Sequence, residues 1–428
     1  MNMMTRNFLL PVALCLVWSA AFAADIEVVH PSRLGFDAQR LERLPAAMQG
    51  MVDAGELSGI VTLVARDRRV VHFEAYGKRD LESGEPMTLD TIFRIYSMTK
   101  PITGVAMMIL YEQGKWHPDD PIAKHIPEFK DLKVYAGTDA NGRMILEAPE
   151  HPPTMGELMS HTAGFTYGLF GDSPVDKLYQ QDFPLRKANL QAFIERMAEL
   201  PLLYQPGQGW VYSVSVDIQG YLVEKLSGQS LPDFMAYQIF RPLRMTDTGF
   251  NVPQGKLDRL ATVYAYEPGK GLTARPHDEH VTEIPGLPSG GGGLYSTAHD
   301  YYRFAQMLAS HGELDGTRIL APATVELMRA NHLSDAVLNG GFGIGWRRIR
   351  PGFGFGYDVA VFTEPYRVGS ITGAGTYLWD GAAGTWFWID PTNGVIFIGM
   401  IQRMVGPGTT TNIQALSRTL VHQALITR

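Results

Sequence analysis

The chain has 428 residues, of which 45% are hydrophobic and 19% are charged, and its formal net charge at pH 7 is −7. This length can bury a large core in one or two domains, and this composition excludes an intrinsically disordered protein. The acidic balance, without a basic stripe, argues against nucleic acid as a partner.

The first residues are typical of a secretory signal peptide. Arg6 precedes an apolar run over residues 8–22, and Ala21-Phe22-Ala23 places small residues before a cleavage site at Ala24. A membrane anchor is the alternative, but the run is shorter than the roughly 20 residues that span a bilayer. We therefore expect residues 1–23 to be removed and the mature protein to be secreted or periplasmic, without stable membrane insertion.

Cysteine usage agrees with that expectation. Cys15, the only cysteine, lies inside the predicted signal segment. The mature chain would then contain none, which excludes disulfides, a cysteine nucleophile and thiolate metal sites.

Two elements are predicted near the start of the mature chain. Asp37–Val52 carries apolar residues at helical spacing and predicts an amphipathic helix. Ile60–Ala65 and Val70–Ala75 are β-rich and flank the polar pair Asp67-Arg68, which predicts a β-hairpin.

Ser97 and Lys100 are the first candidate catalytic residues. They are three residues apart at the start of a helix predicted over residues 99–113, so both side chains project from one face. A serine hydroxyl becomes a nucleophile when a neighbouring base takes its proton, and a lysine can be that base where its pKa is lowered. The first turn of a helix also offers free N–H groups to an oxyanion. Because Ser-x-x-Lys occurs about once by chance in a chain of this length, other motifs must support it.

The middle of the chain, from about residue 115 to 290, is rich in proline and glycine. It is predicted to hold short helices, at residues 190–199, 216–226 and 231–239. Ser289–Gly293, a serine followed by four glycines, predicts a tight backbone passage before a helix over residues 297–308.

The last part of the chain alternates like strands at residues 377–389 and 395–402, around the turn sequence Pro391-Thr392-Asn393-Gly394. A final helix is predicted over residues 413–425. Because strands stand near both ends and helices between them, we predict an α+β fold. An antiparallel sheet domain would be formed by about residues 24–96 and 310–428, with a mostly helical lobe inserted over about 97–309. A cleft between two lobes is a common ligand site.

Four motifs occur in an informative order: Ser97-x-x-Lys100, Leu158–Gly164, Trp210–Val214 and Trp379–Ala382. This order resembles the serine β-lactamase and penicillin-recognising superfamily, specifically its class C branch. Within it, the chain looks most like the bacterial carboxylesterases called family VIII. The resemblance covers nearly the whole mature chain. It implies a single catalytic unit with a β-lactamase/transpeptidase-like fold, and no metal or organic cofactor.

The resemblance also implies roles for individual residues. Ser97 matches the family nucleophile, Lys100 its partner base, and Tyr212 the tyrosine that relays protons to and from the serine and the leaving group. The backbone N–H groups of Ser97 and Ala382 match the oxyanion hole. Taken alone, Tyr212 would more simply be a core aromatic residue with a satisfied hydroxyl.

Departures from the β-lactamase pattern bear on the substrate. Val214 stands where those enzymes carry an asparagine that can hold an acylamino group. Trp379-Asp380-Gly381 replaces a Lys-Thr-Gly whose lysine binds the carboxylate of the antibiotic, so an anionic substrate should be repelled. Asp380 is unusual even among the related esterases and has no assigned role. Arg403 could still bring a cation to the site, because the hairpin register places it near Ala382.

Other candidates are weaker. His161 could act as a base, but we favour a structural role for it. His277-Asp278-Glu279-His280 has a metal-like composition without an obvious third ligand, and we interpret it as solvated surface. No Gly-x-Ser-x-Gly elbow is present, and Ser289–Gly293 lacks the Lys-Ser/Thr ending of a P-loop.

The sequence therefore predicts an exported serine hydrolase that cleaves carboxylic esters through an acyl-enzyme on Ser97. Two alternatives remain open: a β-lactamase or D,D-peptidase acting on amide bonds, and a non-catalytic binding protein of the same fold. Trp379, Asp380, Gly381, Val214 and Arg403 are the predicted substrate-binding residues. The expected partner is a small-molecule ester or β-lactam-like substrate, and the oligomeric state is left open.

Overall fold

The computed structural model describes residues 26–276, 278–340, 343–344, 349–406 and 412–427. The predicted signal peptide, Cys15 and His277 lie outside these residues. Within the described ranges, no helix is long and apolar enough to cross a membrane.

Helices occur throughout the middle of the chain and recur at its two ends. The α-helices of the described residues are α1 (Ala38–Leu41), α2 (Arg43–Asp53), α3 (Thr99–Glu112), α4 (Met155–Met159), α5 (Pro174–Gln181), α6 (Leu190–Ala198), α7 (Ser215–Ser227), α8 (Leu231–Met235), α9 (Ala298–Ala309), α10 (Pro322–Arg329), α11 (Asp335–Gly340) and α12 (Ile413–His422). Helices α3, α6, α7, α9 and α12 agree with the predicted helices within three residues, whereas α5, α10 and α11 have no predicted counterpart. The helix predicted over residues 37–52 is instead broken at Glu42 into α1 and α2, and α8 continues as a π-turn, Ala236–Phe240.

Strands lie mainly near the two ends. Those of the described residues are β1 (Gly59–Arg66), β2 (Arg69–Gly77), β3 (Phe93–Arg94), β4 (Val134–Thr138), β5 (Met144–Glu147), β6 (Trp210–Val211), β7 (Tyr264–Glu267), β8 (Gly271–Ala274), β9 (Tyr295–Ser296), β10 (Glu313–Leu314), β11 (Thr317–Arg318), β12 (Gly343–Ile344), β13 (Gly354–Phe355), β14 (Ala360–Phe362), β15 (Thr376–Asp380), β16 (Trp386–Asp390) and β17 (Val395–Met400).

Strands from both ends of the chain form one antiparallel sheet. Its order is β13-β14-β15-β16-β17-β1-β2, and the two halves join where Val61 of β1 faces Met400 of β17. All eight residues of β1 are buried, as expected for a central strand covered on both faces. The predicted α+β fold, with a sheet built from both ends, is confirmed.

Helices cover both faces of this sheet. Trp386 and Trp388 on β16 each donate an indole N–H to Ser417 of α12, at 3.1 and 3.2 Å. Phe387, between them, packs against Tyr301 of α9, with ring centroids 5.2 Å apart. Because successive strand residues point to opposite faces, α12 and α9 lie on opposite sides of the sheet. The predicted helical lobe included α9, because it extended to residue 309. In the structure, α9 instead packs against the sheet.

Both predicted hairpins are confirmed, since β1 pairs with β2, and β16 pairs with β17 around the turn at residues 391–394. β1 and β2 are joined by Asp67-Arg68, whose φ angles of 50° and 66° are those of a tight hairpin turn. The single strand predicted over residues 377–389 is wrong, because residues 381–385 form a turn between β15 and β16. The Gly381 N–H donates to the Thr385 carbonyl oxygen at 2.7 Å and so closes that turn.

A buried carboxylate fixes α12 to the sheet. Asp390 is fully buried and lies 2.8 Å from Nε2 of His422, and it accepts hydrogen bonds from Asn393 and from the Gly373 N–H. Although burial raises the pKa of Asp390, the hydrogen bonds from His422, Asn393 and Gly373 outweigh it and leave that pKa below its usual value.

The change Asp390→Asn should lower the free energy of unfolding by about 3 kcal/mol, because one member of a buried pair is removed. Urea unfolding at pH 7 measures the loss. Since the folded pKa is lowered, the wild-type contribution is present above the unfolded pKa of about 3.9 and disappears as the pH falls through the folded value. Asp119→Asn, at an exposed carboxylate, is the matched control and should cost less than about 0.5 kcal/mol. Equal losses in the two variants would contradict the assignment.

Candidate active site

Ser97 lies in a tight turn at the entrance to α3. The turn spans Tyr96–Met98, and Tyr96 has a φ of 44°, a left-handed conformation that is uncommon for a residue with a side chain. Nζ of Lys100 lies 3.2 Å from Oγ of Ser97, as the helical spacing predicts. Lys100 is completely buried, whereas Ser97 lines a cavity of about 720 Å³, here called the Ser97 cavity. The hydroxyl therefore stands between a buried amine and open space.

Lys100 contacts three acceptors from separate parts of the chain. Besides Ser97, its Nζ donates to the hydroxyl oxygen of Tyr167 at 3.0 Å and to the carbonyl oxygen of Gly291 at 2.6 Å. Three acceptors use the full donor capacity of an ammonium group. The predicted tight passage at Ser289–Gly293 thus supplies a ligand to the lysine. Sequence reasoning missed Tyr167, because no spacing rule connects it to Lys100.

Asp217 is a second buried group that sequence reasoning missed. It accepts hydrogen bonds from Oγ of Ser289 at 2.5 Å, from the Gly291 N–H at 3.1 Å and from the Tyr167 hydroxyl at 3.5 Å. Burial raises the pKa of Asp217, and the charge of Lys100 offsets part of that rise. Burial also raises the pKa of Tyr167, and the Asp217 carboxylate adds to the effect. Tyr167 therefore keeps its proton and donates to Asp217 while it accepts from Lys100.

Tyr212 stands beside this network at the wall of the Ser97 cavity. Nζ of Lys100 is 4.6 Å from the centroid of its ring, a cation–π distance. Its ring also contacts those of Tyr167 and Trp379, at centroid distances of 5.4 and 5.3 Å. The Tyr212 hydroxyl is buried, and it has no hydrogen-bond partner in the described part of the chain. The simpler interpretation of Tyr212, a core tyrosine whose hydroxyl is hydrogen-bonded, therefore does not agree with the structure.

His161 packs against the ring of Tyr212. Its ring lies 5.2 Å from the Tyr212 ring, and its Nδ1 accepts a hydrogen bond from the Ser213 N–H at 3.3 Å. That bond puts the ring proton of a neutral imidazole on Nε2. Burial lowers the pKa of His161, and the charge of Lys100 lowers it further, so the ring is neutral. This geometry agrees with the structural role favoured for His161.

The end of β15 approaches the serine turn closely. A Cβ on Gly381 would lie 2.3 Å from the carbonyl oxygen of Ile95, so only glycine permits this contact. The next residue, Ala382, lines the same cavity as Ser97. Its carbonyl accepts from the Val405 N–H at 2.8 Å, and its own N–H makes no hydrogen bond to a described residue.

Trp379 and Asp380 point to opposite faces of β15. Trp379 is buried and packs against Tyr212 and Phe355 rather than lining the Ser97 cavity. Asp380 borders the cavity, but its Oδ2 accepts a hydrogen bond from Nε2 of Gln414 on α12 at 2.6 Å. The prediction that Trp379 and Asp380 both contact the substrate is therefore wrong, because the pleat of the strand sends the two side chains to opposite faces.

Val214 and Arg403 are also placed away from the substrate side. Val214 is fully buried at the start of α7, within the hydrophobic core. The register prediction for Arg403 is confirmed, since its N–H donates to the Ala383 carbonyl oxygen at 2.9 Å. Its side chain, however, lines a different cavity of about 660 Å³, beside α2 and α12, and its guanidinium lies 5.5 Å from the Tyr266 ring. The prediction that Val214 and Arg403 bind the substrate is therefore wrong, because neither side chain lines the Ser97 cavity.

Most of the Ser97 cavity wall is apolar. Its apolar residues are Leu169, Phe170, Phe183, Leu185, Phe250, Val281, Pro285, Leu287, Ala382, Met404 and Val405. Asp278 and His280, predicted as solvated surface, are exposed and also line this cavity. Among the described residues, no group of three or more His, Cys, Asp or Glu side chains is arranged to hold a metal ion.

Comparison with known proteins shows the family to which the chain belongs. The family model named Beta-lactamase matches residues 44–419. The chain belongs to the Beta-lactamase family. An uncharacterised protein of Mycobacterium tuberculosis is 37% identical to it, over 83% of this chain and 88% of that protein. Esterase EstB of Burkholderia gladioli is 32% identical, over 84% and 90%.

A solved structure with a similar fold supports the same fold class. EstCE1, described as a hydrolase with promiscuous acyltransferase activity, is 27% identical to this chain, with a TM-score of 0.76. The match covers 90% of this chain and 99% of that one. The resemblance to β-lactamase-fold esterases is therefore confirmed, and the protein is a member of a serine hydrolase family with esterase relatives. The narrower placement in the class C branch stays a prediction.

Proposed function

We propose that the protein hydrolyses carboxylic esters through a covalent acyl-enzyme on Ser97. The observation that carries the proposal is the 3.2 Å contact between the Ser97 hydroxyl and the buried Lys100 amine, at the edge of an apolar cavity. A hydroxyl with a base on one side and substrate space on the other is the arrangement that nucleophilic catalysis requires. The esterase relatives support the ester as the substrate bond.

The proposed reaction has two halves. Oγ of Ser97 attacks the ester carbonyl carbon, and its proton passes to Nζ of Lys100. To accept that proton, Lys100 acts in its amine form, which keeps two donors for Tyr167 and Gly291 and turns a lone pair toward Ser97. The N–H groups of Ser97 and Ala382 bind the oxyanion, and the Tyr212 hydroxyl hands a proton to the departing alcohol. Tyr212 regains a proton from Lys100, so that both groups return to their starting states. Water then attacks the acyl-enzyme by the same proton route, which releases the carboxylic acid and restores Ser97.

The surroundings of Tyr212 and Ala382 support these roles. The Tyr212 hydroxyl makes no hydrogen bond to a described residue, so its proton is not committed to another acceptor. The N–H of Ser97 belongs to the first turn of the helical segment, where backbone donors lack intrahelical partners. The N–H of Ala382 is likewise available.

Parallel assays test the substrate bond. Wild-type protein should hydrolyse p-nitrophenyl butyrate and should act poorly on a chromogenic cephalosporin. If the cephalosporin is the better substrate and both activities require Ser97, a β-lactamase replaces the esterase in the proposal. If neither substrate is cleaved, the result supports the alternative that the protein is a non-catalytic binding protein.

Tyr167→Phe should lower kcat for ester hydrolysis by about tenfold while KM changes little. The variant keeps the ring but removes one of the three acceptors that position Lys100, and it removes the hydroxyl donor to Asp217. Tyr302→Phe on α9 also removes one buried tyrosine hydroxyl bond and is the matched control. Equal kcat values for the two variants would mean that Tyr167 does not position the lysine.

We also propose that the protein is exported after cleavage near Ala23. N-terminal sequencing of protein from the periplasm or the medium should then begin at Ala24. Recovery of the uncleaved chain in the membrane fraction would replace export with anchoring.

A further inference from the structure

Arg94 is a cation in the wall of the Ser97 cavity with unused hydrogen-bond donors. It lies on β3, three residues before Ser97, and lines the same cavity. Its Nε is buried without a hydrogen-bond partner. Its guanidinium also forms no ion pair with any carboxylate in the described part of the chain. Leaving a buried charged donor unsatisfied costs free energy, which an anionic ligand would recover.

Backbone contacts and aromatic rings hold Arg94 in place. Its N–H and carbonyl groups form a pair of hydrogen bonds with the side-chain amide of Gln402, at 3.2 and 3.1 Å. Its guanidinium carbon lies 4.6 Å from the Tyr96 ring centroid and 5.9 Å from that of Tyr295. Contacts over aromatic faces fix a guanidinium while its N–H donors remain open at the edge.

Other charged groups near the cavity are engaged elsewhere or stand at its rim. The donors of Lys100 contact three acceptors, and the side chain of Arg403 lines the other cavity. Asp278 and Glu283 line the Ser97 cavity but are exposed, and neither pairs with Arg94. Asp380 borders the same cavity and accepts a hydrogen bond from Gln414 rather than from Arg94. Arg94 is therefore positioned to receive an anion that enters with the substrate.

We propose that Arg94 binds a carboxylate of the substrate, so that the preferred esters carry a carboxylate beside an apolar group. A guanidinium matches a carboxylate through two parallel hydrogen bonds, and the apolar wall of the cavity accommodates the rest. The proposal rests on the proposed ester hydrolysis and names its substrate class. It reverses the expectation that the missing β15 lysine leaves the cavity repellent to anions. The carboxylate can belong to the acyl or to the alcohol half of the ester.

Two matched pairs of esters test the proposal and distinguish these halves. Mono-p-nitrophenyl glutarate is compared with p-nitrophenyl pentanoate for an acyl carboxylate. The second pair, 3-butyryloxybenzoate and its methyl ester, tests an alcohol carboxylate. In Arg94→Gln, the ratio of kcat/KM for the charged to the neutral ester should fall about tenfold or more in at least one pair. Arg241→Gln is the control, because Arg241 also stacks on a tyrosine, Tyr237, but lies outside the cavity. Its ratios should equal those of the wild type.

Unchanged ratios in Arg94→Gln for both pairs overturn the proposal, as do equal changes in Arg94→Gln and Arg241→Gln.

A measurement on the wild type is independent of whether the variant folds. Benzoate should inhibit hydrolysis of p-nitrophenyl pentanoate at a concentration about tenfold or more below that of benzamide, and equal inhibition overturns the proposal. Ester hydrolysis that persists in Ser97→Ala would instead overturn the proposed function.

Discussion

Ser97→Ala should lower ester hydrolysis by about 10³-fold or more while the fold is retained, because only the acyl acceptor is lost. The steady-state rate with p-nitrophenyl butyrate measures the loss, and circular dichroism checks the fold. A fluorophosphonate probe should label the wild type at Ser97. Ser83→Ala, at an exposed serine, is the matched control and should keep full activity and labelling. Labelling at another serine, or a fully active Ser97→Ala, would remove Ser97 from the mechanism.

Lys100→Arg should lower kcat by about 10²-fold or more although the positive charge is kept. A guanidinium does not release a proton at usable pH and cannot take one from Ser97. It is also larger than the amine that contacts Tyr167 and the Gly291 carbonyl.

Lys115→Arg is the matched control for this change, because Lys115 is exposed just after the end of α3. Activity of Lys100→Arg above about a tenth of the wild type, a barrier change below ~1.4 kcal/mol, would show that another group is the base. A loss of the same size in both variants would point to a general effect of arginine on the fold.

Local periodicity accounts for the parts of the site that the sequence predicted correctly. Ser97 and Lys100 meet because three residues make nearly one helical turn. The Arg403 backbone reaches Ala383 because hairpin pairing counts residues evenly from the turn. Local periodicity also explains the error about Trp379 and Asp380. The two residues are neighbours on one strand, and the pleat places neighbouring side chains on opposite faces of the sheet.

The missed residues depend on contacts that no local pattern encodes. Tyr167 and Gly291 meet Lys100 from chain segments far apart, so neither spacing nor residue type identifies them in advance. Arg94 precedes Ser97 by three residues, yet its role depends on Tyr295 and Gln402, which tertiary packing brings to it. A buried, unpaired donor becomes visible only when all neighbours are known.

The pairing of β1 with β17 has a consequence for biosynthesis. β1 is completely buried in the finished sheet, but its partner strand begins only at Val395, near the end of the chain. During synthesis, one edge of β1 therefore keeps its backbone hydrogen-bonding groups unpaired until β17 has emerged. Unpaired strand edges promote aggregation, and pairing over long sequence separations is slow. We therefore expect the unpaired edge of β1 to be prone to aggregation until β17 pairs with it.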